Sequence, residues 1–167
     1  MFNLQTFTQI HVAISLVGIA SGFVVMYGLL TGRRMGGWTA LFLVTTVATS
    51  VTGFFFPFHG FTPAIGVGIV SLLVLAAVLF ALYARHLAGA WRRIYVVGAV
   101  VSLYLNVFVL IVQSFQKIPV LKAIAPTQSE LPFLLSQLVL VVLFIALAIV
   151  AAIRFRTQLI PPPAHVA

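Results

Sequence analysis

The stretch LPFLLSQLVLVVLFIALAIVAAI occupies positions 131–153, between Glu130 and Arg154. Its only polar residues are Ser136 and Gln137, both near its start. A helix of about 20 apolar residues crosses the hydrocarbon core of a bilayer, so this run reads as a membrane span. Working back along the chain gives four more runs of the same kind. They cover about 9–30, ending at Thr31-Gly-Arg-Arg-Met-Gly-Gly37, about 38–56, ending at Pro57, about 64–84, and about 93–115. The eight prolines (57, 63, 119, 126, 132 and 161–163) fall in loops, at a span edge or in the tail. Proline removes a backbone donor that lipid cannot replace, and its absence from the span interiors supports these boundaries.

Composition points the same way. Of 167 residues, 63% are hydrophobic and only 6% charged. A soluble domain carries about 25% charged residues, so this chain cannot build a solvated surface. The expected fold is all-α: an integral membrane bundle of five transmembrane helices over residues 1–157, followed by a Pro-rich tail at 158–167. Five spans leave no room for a separate soluble domain, and the lipid bilayer is the first partner.

Positive charge sets the expected orientation. Arg33, Arg34, Arg85, Arg92, Arg93, Arg154 and Arg156 fall on one side, and Lys117 and Lys122 on the other. Basic residues in short loops stay in the cytoplasm, which puts the N-terminus outside and the C-terminus inside. Trp38, Trp91 and Tyr95 then lie at the cytoplasmic interface. The leader MFNLQTFTQ lacks the basic region of a cleavable signal peptide, so none is expected. A net charge of +8 could signal nucleic acid, but the basic residues are scattered among helix ends and form no continuous groove, so no nucleic acid is expected. A weak repeat relates Arg33-Arg-Met-Gly-Gly-Trp38 to Arg85-His-Leu-Ala-Gly-Ala-Trp91. Helices one and two read either as a parallel copy of helices three and four or as a second basic turn under the same topological pressure.

The chemistry is restricted. There is no cysteine and no aspartate, and Glu130 is the only acidic residue. Paired carboxylates, thiolate metal sites and cysteine nucleophiles are therefore absent, and catalysis is the poorest fit. The informative residues are uncharged polar ones that share helix faces at 100° per residue. On helix one, His11, Ser15, Gly18 and Gly22 fall within about 60° of one another. Gly18 and Gly22 form a GxxxG pair that lets another helix approach closely. On helix two, Thr45, Thr49 and Thr52 align, and His59 continues the line if the helix survives Pro57. Ser102, Asn106, Gln113 and Lys117 share a face of helix four, and Glu130 and Gln137 share one on helix five. Most of these groups belong to the outer side, where the segment Ala125-Pro-Thr-Gln-Ser-Glu130 adds further hydrogen-bonding groups. The candidate site is thus an outer-face polar cluster of Asn106, Gln113, Lys117, Glu130 and Gln137, with His11 and His59 beside it.

Three functions follow. Elimination puts first an accessory or binding subunit, working with a membrane-protein partner or as a homo-oligomer. The alternative is a b-type haem held between His11 and His59, or a quinone-linked electron-transfer protein. Neutral imidazole is a good axial ligand, and Phe54, Phe55, Phe56, Phe58 and Phe61 could line a macrocycle. The second alternative is a passive small-solute pore or transporter. Against coupled transport stand the absence of charge within the spans and of glycine- or proline-broken helices.

The stretches 10–33, Thr52-Gly-Phe-Phe-Phe-Pro-Phe58, Arg93-Ile-Tyr-Val-Val97, and Asn106 through Gln113 to Ala125-Pro-Thr-Gln-Ser-Glu130 together resemble a family of small multi-pass bacterial membrane proteins of uncharacterised function. The resemblance covers most of residues 10–156 and implies a bacterial inner-membrane location. It carries no activity. In general appearance the chain is also similar to small bacterial bundles with a histidine opening helix one, some of them suspected of redox roles.

Overall fold

The computed structural model describes residues 3–57, 60 and 62–157, without the side chains of Arg156 and Thr157. The described elements are helical: α1 (Leu4–Leu30), α2 (Gly36–Gly53), α3 (Pro63–Leu79) running on into a π-helical turn at Phe80–Ala84, α4 (Trp91–Lys117), the short α5 (Pro119–Ile124) and α6 (Leu131–Thr157). Local signals start them. Asn3 caps α1 by accepting from the Gln5 N–H at 3.0 Å. Thr62 caps α3 ahead of Pro63, whose fixed φ suits a first helical position. α1 stops at Gly32, which takes φ 70° and lets the Arg33 N–H reach the Gly28 carbonyl at 2.8 Å, as in a Schellman turn. Arg154 donates to the Leu30 carbonyl at the same helix end, 3.3 Å away.

Four helices are long and apolar enough to cross a membrane: Leu4–Leu30, Pro63–Ala84, Trp91–Lys117 and Leu131–Phe155. α2 is not among them. It has 18 residues, opens on two glycines, carries Thr39, Thr45, Thr46, Thr49, Ser50 and Thr52, and ends at Gly53 rather than at the expected Phe56.

Helices α1 to α4 form a ring in sequence order, α1 on α2, α2 on α3, α3 on α4 and α4 back on α1. α6 packs in the groove between α1 and α4, and α5 lies against α4. The long helices alternate in direction, so the arginines gather at one end of the ring while His11, Lys117, Lys122 and Glu130 gather at the other. The core occupies the arginine end. Phe42, Leu43, Leu75, Val78, Val96, Val100 and Leu103 fill the ring there, and Tyr95, Phe144 and Phe155 close the side toward α6. Large apolar side chains on α3 and α6 point outward, including Leu73, Leu138, Val139 and Ile153, as expected of a surface solvated by lipid.

The GxxxG pair on α1 does what its spacing implies. A Cβ at Gly18 would meet Thr45 Oγ1 at 3.2 Å, and one at Gly22 would meet Leu103 Cδ1 at 2.6 Å and Phe42 Cε2 at 2.9 Å. Close approach here brings α1 and α2 together along most of their length.

Candidate functional site: a cavity in one half of the bundle

Toward the His11 end, the same four helices enclose a cavity of about 540 Å³. Its inner limit is the Asn106 Nδ2–H donating to Thr46 Oγ1 across the ring at 3.1 Å, with Ile19 beside it. Ser50 donates to Ser71 Oγ at 3.0 Å and ties α2 to α3 along one wall. Phe54 lies over Gly68, where a Cβ would come 2.9 Å from its ring. Thr8, Lys117 and Ile118 stand at the rim.

His11 is the best-defined polar group. Its Nδ1 lies 2.8 Å from Thr52 Oγ1. The single hydrogen of that hydroxyl goes to the Ala48 carbonyl at 2.7 Å, so the contact with histidine runs from Nδ1–H to the hydroxyl oxygen. This assignment fixes the tautomer and leaves Nε2 as an acceptor with no hydrogen-bond partner among the described residues. The ring stands edge-on to Phe56, with centroids 5.1 Å apart. Gly53 keeps the space beside it open, since a Cβ there would find only His11 Cε1, at 3.9 Å. Thr49 Oγ1 is buried on the wall without a partner. Gln113 and Lys117 line the same volume and make no hydrogen bond to a described residue. The rest of the wall is mostly apolar, from Val12, Leu16, Ile65, Val67, Leu105 and Val109, while Ser15 and Ser114 return their hydroxyls to their own helices. The arrangement offers a narrow set of hydrogen-bonding groups on an oily wall, which suits binding and orienting an amphipathic ligand.

The polar cluster read from the sequence therefore divides. His11, Asn106, Gln113 and Lys117 converge on the cavity. Glu130 does not. Its carboxylate accepts from the Thr127 N–H and hydroxyl at 3.1 and 2.8 Å and from the Ser129 N–H at 3.1 Å. Desolvation beside the helix end pushes its pKa up, but the hydrogen bonds from Thr127 and Ser129 outweigh this and hold it below the usual carboxylate value. Gln128, in a left-handed conformation with φ 61°, donates to the Val112 carbonyl at 2.9 Å. The groups of the 125–130 segment are thus spent on fixing that loop to α4 and to the start of α6. Gln137 also stands apart from the cavity, with both amide atoms buried and unpartnered. His59, Phe58 and Phe61 lie outside the described residues.

Sequence reasoning passed over the α3 wall. Gly68 and Ser71 line the cavity three residues apart on one helix face, a pattern visible in the sequence once α3 is given an interior side. No group of three or more His, Cys, Asp or Glu is assembled among the described residues. No family model matches the chain, and neither the curated proteins nor the solved structures contain a match.

Proposed function

We propose that this chain is a five-span protein of the bacterial inner membrane, N-terminus outside, that serves as a binding subunit for a lipid-soluble amphipathic ligand. The observation that carries the reading is the cavity of about 540 Å³, within the 300–1,000 Å³ typical of small-ligand sites. Its position in the half of the bundle away from the arginines supports an outward opening, because basic ends stay in the cytoplasm. Membership of α2 among the spans is supported by its course along α1, from Met35 beside Gly28 to Thr52 beside His11. Two of its threonines return their hydroxyls to their own helix, Thr45 to the Leu41 carbonyl and Thr52 to the Ala48 carbonyl, both at 2.7 Å. They are less polar to lipid than their count implies.

The ligand has a head of ring size and an apolar tail, the build of an isoprenoid quinone or quinol. A quinol hydroxyl would donate to His11 Nε2, and a carbonyl oxygen would accept from Lys117 or Gln113. Bound this way, the chain would supply the lipid-soluble ligand to a membrane partner. The test is binding of a short-chain quinone and its quinol to the purified protein, compared with a Gly53→Leu variant that fills the space beside His11. Stabilisation of the wild type that disappears in the variant is expected. Equal binding by both, or by neither, would sink the reading.

A second reading, haem, is favoured by one observation. Nδ1–H of His11 is already oriented by Thr52, the arrangement that positions a ligating imidazole. Oxidised and dithionite-reduced absorption spectra decide it, since a colourless preparation holds no haem.

A further inference from the structure

The arginine end has a site of its own, independent of the outer cavity. The chain's only acidic side chain, Glu130, sits at the opposite end of the bundle, and no ion pair forms among the described residues. Among the described residues, nothing balances the charge at the arginine end. Most of the described arginines are exposed, Arg33 and Arg34 among them, and those two also border a cavity. Arg33 and Arg34 rim a space of about 290 Å³ between the ends of α1, α2 and α4 and the π-turn, with Thr39, Tyr95, Leu29 and Phe155 among its walls.

Three features make this cavity an anion site. Arg33 and Arg34 precede α2 directly, so their charge adds to the positive end of the helix dipole. The α2 start is bare: Met35 gives no side-chain cap, and the Cβ positions of Gly36 and Gly37 meet nothing within 4 Å. The third is the pair Thr39 and Tyr95, only 6% and 5% exposed yet facing the cavity. Their side chains lie close to each other, and neither hydroxyl has a different partner among the described residues. Even a bond between them would use only one of their two hydrogens and leave one to donate to a ligand. Val25, Leu29 and Phe155 make the deeper wall apolar. A free inorganic anion has no use for such a wall, whereas the glycerol and first methylenes of a lipid do.

We infer that this cavity binds the phosphate headgroup of an anionic phospholipid, held by Arg33, Arg34 and the Tyr95–Thr39 hydroxyl pair. Basic pockets between membrane helices recognise anionic headgroups by this chemistry.

The test is titration of the detergent-purified protein with short-chain phosphatidylglycerol, phosphatidylcholine and inorganic phosphate at constant ionic strength, read by thermal stability and native mass spectrometry. Phosphatidylglycerol is expected to bind in preference. Arg33→Gln/Arg34→Gln should weaken it about tenfold or more, since two charge-assisted hydrogen bonds are lost. Tyr95→Phe, which removes one oxygen and keeps the ring, should weaken it several-fold. Arg85→Gln/Arg93→Gln removes equal charge from the other basic turn and should change little. Each double variant leaves five arginines against two lysines (seven less two), so the charge bias that sets orientation survives. Equal weakening by the two double variants would mean diffuse attraction and overturn the site. Equal binding of the two lipids would overturn it as well. Displacement of phosphatidylglycerol by inorganic phosphate at matching concentration would overturn the lipid as the source of the anion.

Discussion

The two halves of the α1–α4 ring are built from the same helices and differ in what those helices turn inward. Toward the arginines, Phe42, Leu43, Leu75, Val96 and Leu103 fill the ring as far as the smaller cavity at its mouth under Arg33 and Arg34. Toward His11, small and polar residues (Ser15, Thr49, Ser50, Gly53, Gly68 and Ser71) stand among the apolar ones, and the ring holds the larger cavity. In lipid the difference matters more than in water. Tails are as apolar as leucine, so helices are held by packing and by hydrogen bonds between them rather than by expulsion of water. The full half uses packing. The open half uses directed pairs: His11 with Thr52, Ser50 with Ser71, and Asn106 with Thr46. The tightly packed core and the larger cavity thereby lie in opposite halves of one bundle, and a change in one half should be felt little in the other.

The largest effect should come from emptying the full half. Phe42 is 1% exposed, and Phe42→Ala leaves a void that neighbouring buried side chains cannot close. The transfer part of the usual penalty is missing in lipid, but lost contacts alone should lower stability by about 2 kcal/mol or more. Ile65→Ala only enlarges a space that already exists and should lower it by under about 1 kcal/mol. Reversible unfolding in mixed micelles measures both, and comparable losses would erase the distinction between the halves. A glycine pair sharpens it further, because the expected signs differ. Gly22→Ala drives a methyl group into Leu103 and Phe42 and should destabilise by about 1–3 kcal/mol. Gly53→Ala meets open space and should be neutral, or stabilising by up to about 1 kcal/mol through helix propensity. Melting temperatures moving the same way in both variants would contradict that account.

How much of this was legible in the sequence depends on whether a residue's role is periodic or accidental. The His11–Ser15–Gly18–Gly22 face and the Thr45–Thr49–Thr52 face were readable from helical spacing, and the structure sets them against each other. The same arithmetic brought Asn106, Gln113 and Lys117 to one side of α4. It failed where a side chain has a partner closer along the chain. Glu130 carries the only negative charge, which made it look like a site residue, yet a carboxylate three residues after Thr127 turns back on its own loop. The π-turn at Phe80–Ala84 and the short α5 gave no periodic signal over their few residues. α2 gave the most divided signal, since its threonines lower its hydropathy while two of them, Thr45 and Thr52, return their hydroxyls to the helix.

That loop supplies the smallest prediction, and it concerns the open half alone. The hydrogen bonds from Thr127 and Ser129 lower the pKa of Glu130 in the folded chain relative to the unfolded one, which is about 4.3 for a free glutamate. A depressed carboxylate pKa adds stability that is fully present above the unfolded value and is lost as pH falls through the folded value. Between neutral pH and about pH 5 the contribution should be constant, and it should fade as the medium becomes more acidic. Glu130→Gln subtracts everything else that titrates, so the wild-type advantage in melting temperature should be slight at neutral pH and vanish in acid. Amide exchange, corrected for its intrinsic pH dependence, locates it: acid should lower the protection factors at Thr127 and Ser129 and in the first turn of α6, while the amides around Phe42 and Leu103 keep theirs. Acid-induced loss of protection spreading evenly to the arginine end would show that the two halves unfold as one unit.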